Sequence, residues 1–104
     1  QTVKVAVTLF SRLTGYAGSL SELYEAFALS DLVNYRIKDL TIDQRYRLQL
    51  LRATLKQPDL LYLESPISLL SHDGVGLYLK ALDYLKSLPL TLDYGYLARR
   101  ISSP

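Results

Sequence analysis

A chain of 104 residues holds one hydrophobic core and not two, because a domain of this size buries only about two-thirds of its unfolded surface. Its 49% hydrophobic content predicts a folded globule, and a formal net charge of +2 is too small to imply a polyanionic partner on its own. The absence of cysteine excludes a disulfide framework and a thiolate metal site, and no apolar run exceeds four residues, as at 60–63; a span of the bilayer needs roughly 20, so a soluble chain is expected.

The first segment, "TVKVAVTLFSRLTG", places Val3, Ala6, Val7, Phe10 and Leu13 at helical spacing and meets Gly15, which predicts a helix ending there. Ser19 and Glu22 have capping-box spacing ahead of "LYEAFAL", so a second helix is expected to run to about Leu29, with "SDLVNY" adding one more turn. Thr41 and Gln44 repeat that spacing and open a third helix whose apolar stripe is Leu48, Leu51 and Leu55, while Arg45, Arg52 and Lys56 occupy other faces. Pro58 stops it. "DLLYLE" then reads as a buried strand, "DGVGLYLKALDYLKS" as a helix through Val75, Leu79, Leu82 and Leu85, and "PLTLDY" as a second short strand. Strand, helix and strand in this order predict a parallel pair joined by a helical crossover. The expected class is mainly α with a small β component. The chain has no methionine and opens directly on a helical pattern, so it is expected to come from inside a longer protein.

The joint order "LTIDQ", "RYRLQLLRATL" and "PDLLYLESP" (residues 40–66) resembles the second half of an ATP-binding cassette (ABC) ATPase. That family carries a helical subdomain, an "LSGGQ" signature, a helix of the type "RQRLALARAL", and the Walker B strand "PDLLLLDEP". "TVKVAVTLFSRLTG" is similar to the family's "TVRENLRFFARLRG" helix, and "SDLVNYRIKDL" to the segment leading into the signature. The resemblance implies a helical subdomain with a signature-like helix over 1–57, followed by a Walker B-like strand, a helix and a second strand over 58–104. It also implies a parent that binds ATP and Mg²⁺. That parent would lie on the cytoplasmic face of a membrane and pair with a transmembrane subunit and a second ATPase subunit. Residues 2–35 would help form the groove that receives a helix of the transmembrane subunit.

A helix start offers unpaired N–H groups to a phosphate, and glycines let the backbone approach. At the signature-like position Thr41, Ile42, Asp43 and Gln44 replace both glycines, one by a bulky β-branched residue and one by a carboxylate, so phosphate contact is expected to be weak. Thr41 and Asp43 have a simpler role as cap and dipole complement, each worth about 0.3–1.5 kcal/mol, and this role takes precedence. By the resemblance, Glu64 stands where the family holds Mg²⁺ and Ser65 where it holds the catalytic carboxylate. Glu64 suits a hydrated Mg²⁺. Ser65 is no base near neutral pH, and loss of a general base costs about 10²–10⁴ in rate. Ser71 falls at the D-loop aspartate and Tyr94 near the switch histidine, while His72 is expected at the surface. No G-x-x-x-x-G-K-[ST] loop is present; in the family it lies upstream, as does the Q-loop glutamine, which Gln1 is not. The fragment is therefore expected to bind no nucleotide and to be inactive alone.

A free-standing helical protein- or nucleic-acid-binding module is the alternative. Arg36, Lys38, Arg45, Arg47, Arg52 and Lys56 interleave with Tyr35 and Tyr46, yet on a 3.6-residue period they point several ways and Asp39 and Asp43 dilute them, so a solvated face is preferred. Tyr24, Tyr62, Tyr78 and Tyr84 sit among apolar neighbours and are expected to be partly buried. Leu61, Leu63, Leu90 and Leu92 are expected along open strand edges, which favours self-association of the fragment.

Overall fold

The computed structural model describes residues 1–62 and 71–93. Helix α1 (Val3–Thr14) starts where the Thr2 hydroxyl accepts the Val5 N–H at 3.2 Å, and it ends at Gly15, which turns left-handed (φ 75°) and donates to the Ser11 carbonyl. Its first free amides are taken by a distant segment: Val3 N donates to the Tyr35 carbonyl at 2.9 Å and Lys4 N to that of Val33 at 2.8 Å. Val3 and Val7 are fully buried, whereas Leu13, read as part of the inward stripe, is 83% exposed. At 100° per residue Leu13 stands about 120° round the helix from Val7, outside the arc the core covers.

Helix α2 (Leu20–Ala26) is capped by Ser19, whose hydroxyl accepts from Glu22 N at 3.2 Å. It stops three residues before the expected Leu29. Ala28 adopts φ 55°, Leu29 N reaches back to the Tyr24 carbonyl at 2.7 Å and Ala28 N to that of Glu25 at 3.1 Å, a Schellman ending with alanine where glycine is usual. Leu29 is thereby turned into the core at 0% exposure. The extra turn in "SDLVNY" is a 3-10 turn, Ser30–Leu32, and another, Ile37–Asp39, precedes the third helix.

Helix α3 (Ile42–Leu55) opens with both halves of the capping box: Gln44 N donates to the Thr41 hydroxyl at 3.2 Å and Thr41 N to the Gln44 side chain at 2.9 Å. It is the central element, packed against α1 on one side and against α4 (His72–Lys86) on another. Leu48, Leu51 and Leu55 are buried as their stripe predicts, joined by Leu50. In α4 the buried face is Gly74, Tyr78, Ala81, Leu82 and Leu85. Leu79, expected on it, is 53% exposed. The core is closed by an edge-to-face pair, Phe27 with Tyr84 at 5.7 Å and 77°, and by the tilted rings of Tyr46 and Tyr78 at 5.5 Å. Tyr78 is 1% exposed, while Tyr24 and Tyr84 are half-buried.

Strands β1 (Leu60–Tyr62) and β2 (Thr91–Asp93) pair in parallel across α4, with Leu60 opposite Thr91, Leu61 opposite Leu92 and Tyr62 opposite Asp93. The predicted strand–helix–strand unit is thus formed, and the chain is mainly α with a small β component. The apolar run at 60–63 is not uniformly buried, since Leu60 is 58% exposed and Leu61 only 8%, because alternate strand residues face opposite sides. The Leu61 side chain belongs to the core although, among the described residues, its strand has a free edge, and Leu90 packs against that core. Leu63 lies outside the described residues. Among the described residues no helix is long and apolar enough to cross a membrane.

Candidate functional site

The signature-like positions form the first turn of α3, and what faces them is the first turn of α4. Thr41 is spent on the capping box. Ile42 is 65% exposed and makes no part of the core. Asp43 turns toward α4: the Ser71 backbone N–H donates to both its carboxylate oxygens at 3.3 Å, and the Ser71 hydroxyl donates to Oδ2. That hydroxyl in turn accepts from Gly74 N at 3.0 Å and caps α4. A side chain at Gly74 would run into the Asp43 carboxylate, so that carboxylate keeps its place against Ser71 only with glycine there.

One turn further along α3, Arg47 lies 4% exposed and its Nε donates to the Phe27 carbonyl at 2.9 Å. Burial pulls its pKa below the ordinary guanidinium value and the neighbouring Asp43 opposes that shift. Asp43 therefore serves two partners, the positive start of α4 through Ser71 and the Arg47 cation on its own helix. The arrangement joins α2, α3 and α4, which is a structural role and supports the capping role of Thr41 and Asp43.

Of the other predicted site residues, Glu64, Ser65 and Tyr94 lie outside the described residues. Ser71 is the exposed cap of α4, and His72 is its first residue, exposed as expected. Among the described residues no group of three or more His, Cys, Asp or Glu side chains is placed to hold a metal ion.

Arg47, expected on a solvated face, is the largest departure. A signal for it exists: continuing the stripe Leu55, Leu51 back by one turn lands on residue 47, and residue 43 stands four positions before it. The remaining cations of α3 are better ordered than their sequence spacing suggested. Arg45, Gln49, Arg52 and Lys56 are all exposed and follow one another at three- and four-residue steps, which makes a single stripe. Arg45 donates to the Lys38 carbonyl at 2.9 Å, and Arg52 and Lys56 lie over the Phe10 ring at 5.1 and 5.9 Å.

Replacing Thr41 by alanine removes the hydroxyl that accepts from Gln44 N and leaves only the backbone half of the capping box. The expected loss is about 1 kcal/mol, within the 0.5–2 kcal/mol that N-caps carry, read as a lower urea midpoint with unchanged slope. An unchanged midpoint would contradict the cap as drawn. Compared with known proteins, the chain is matched by no family model and by no curated protein.

Proposed function

We propose that this chain is part of the nucleotide-binding ATPase subunit of an ABC-type transporter, catalytically degenerate and inactive as an isolated fragment. The observation that carries the proposal is the succession of a box-capped helix at the signature-like position, strand β1 inside "PDLLYLESP", helix α4, and strand β2 in parallel register with β1. In such a parent the ATP and Mg²⁺ would be held chiefly by the upstream phosphate loop, with Glu64 as a candidate Mg²⁺ ligand and Ser65 in place of the catalytic carboxylate. The parent's partners would be a transmembrane subunit and a second ATPase subunit, at the cytoplasmic face of the membrane.

The start of α3 does not fit a phosphate. Asp43 puts a carboxylate there, Ile42 blocks the backbone approach that glycine allows, and the first-turn amide of Gln44 is already bonded to Thr41. No step of hydrolysis is assigned to these residues. Two measurements bear on the proposal. The coding sequence some tens of residues before Gln1 should contain a G-x-x-x-x-G-K-[ST] loop, and the purified chain should release no phosphate from ATP above buffer background. Absence of the loop would overturn the proposal and favour the free-standing module, for which the cationic stripe of α3 is the supporting feature; turnover lost on changing Glu64 would overturn the predicted inactivity.

Self-association of the isolated chain belongs to the same proposal, because a two-stranded sheet offers its outer backbone groups to another strand. Leu60, at 58% exposure, is the residue to change, since Leu61 lies in the core. Sedimentation at rising concentration should show dimers, and Leu60→Lys should shift the midpoint of dimerisation upward by about tenfold or more. A monomer at every concentration would rule the edge out.

A further inference from the structure

Where the last turn of α3 meets the end of α4, a cavity of about 350 Å³ opens, with Tyr16, Tyr84 and Asp59 in its wall beside Pro58, Leu88 and Pro89. Its volume lies at the lower end of the range for small-molecule sites. The backbone builds the wall by a local device: Gln57 adopts φ 52° just past the α3 cap, and this turn swings Pro58 and Asp59 into the wall. Both rings are supported. Tyr84 takes the edge-to-face contact with Phe27 at 5.7 Å, and Tyr16 lies so close over Gly18 that a side chain there would strike its ring.

Among the described residues lining the cavity, Asp59 is the only charged one. Lys56, the cation nearest in sequence, points its ammonium over the Phe10 ring on another face at 5.9 Å. Burial holds the Tyr16 and Tyr84 phenols above their ordinary pKa of 10.0, and the Glu22 carboxylate adds to both shifts. The Thr54 hydroxyl is committed to the Leu50 carbonyl at 2.9 Å. What the described residues of the wall offer a ligand is therefore two aromatic rings, apolar surface and one carboxylate.

We propose that this cavity binds a small organic cation, a methylated ammonium or a guanidinium, against Tyr16 and Tyr84 with Asp59 as counter-charge. An aromatic ring attracts a cation through its quadrupole, and a methylated ammonium also has the apolar surface to fill the space between the rings and the prolines. The site does not depend on the ATPase proposal, although Pro58 and Asp59 open the "PDLLYLESP" segment on which that proposal draws.

The test is a titration of the chain with choline, followed by amide chemical shifts at residues 16, 57–59, 84 and 88–90. 3,3-Dimethylbutanol, the neutral isostere of choline, separates charge from shape. Choline should produce saturable shifts at these residues with a Kd of about 1 mM or below, and the isostere should bind about tenfold more weakly or worse. Asp59→Asn should weaken choline about tenfold while leaving the isostere unchanged; Asp59 is exposed, so the variant keeps its fold. Tyr84→Phe, which retains the ring, should retain binding. Equal affinity for choline and its isostere, indifference to Asp59→Asn, or no saturable shift below about 50 mM choline would each overturn the proposal.

Discussion

Phe27→Ala is expected to destabilise the chain by about 3–5 kcal/mol, the range for emptying a fully buried aromatic position. Phe27 is 0% exposed, sits at the C-cap of α2 and presents its ring to Tyr84 of α4 at 5.7 Å. Its removal therefore costs transfer free energy, the ring contact and the packing of α2 on α4 together. Against a total stability of about 5–15 kcal/mol for domains in general, this is a large fraction. Urea unfolding followed by far-ultraviolet circular dichroism should show the loss, with Phe27→Leu losing about 1–2 kcal/mol because most of the volume stays. Near-equality of the two variants would mean that the ring does not fill the space assigned to it.

Arg47→Ala should cost about 2–4 kcal/mol, for a different reason. The guanidinium is costly to bury, as its lowered pKa shows, so removing the charge is in itself favourable. Two losses outweigh that gain. The Phe27 carbonyl, at the end of α2 where no helical N–H reaches it, loses the donor 2.9 Å away, and Asp43 keeps its charge without the cation one turn below. Arg47→Lys should recover about 1 kcal/mol of the loss, since an ammonium keeps the charge but not the flat donor set of a guanidinium. Amide exchange near Ala28 and Leu29 should accelerate in both variants, because the left-handed turn there follows directly on the carbonyl that Arg47 holds. A change below about 0.5 kcal/mol in Arg47→Ala would show that this carbonyl is satisfied some other way.

The two variants act on one junction, which is also where the sequence spoke least clearly. The starts of α2 and α3 were legible, because a cap bonds to an amide two or three residues on: Ser19 to Glu22 and Thr41 to Gln44. The end of α1 was legible because Gly15 takes the left-handed turn without strain. The parallel strand pair was legible from strand, helix and strand in succession. The end of α2 was not, since its left-handed residue is Ala28 and nothing local marks it.

The face of α4 was ambiguous for a related reason. Leu82 and Leu85 belong equally to a stripe with Val75 and Leu79 or to one with Gly74 and Tyr78, and hydrophobicity alone prefers the first. The structure takes the second, because Gly74 lets the helix start close on the Asp43 carboxylate and Tyr78 then fills the space beside Tyr46. The candidate site divides in the same way. Its capping box was written into residues 41–44, but the attachment of Asp43 to Ser71 and the burial of Arg47 against Phe27 join groups 28 and 20 positions apart. Interactions that close within one helical turn are set by local spacing, and the sequence determines them alone. Those between helices depend on which faces meet, and only the packed tertiary structure decides that.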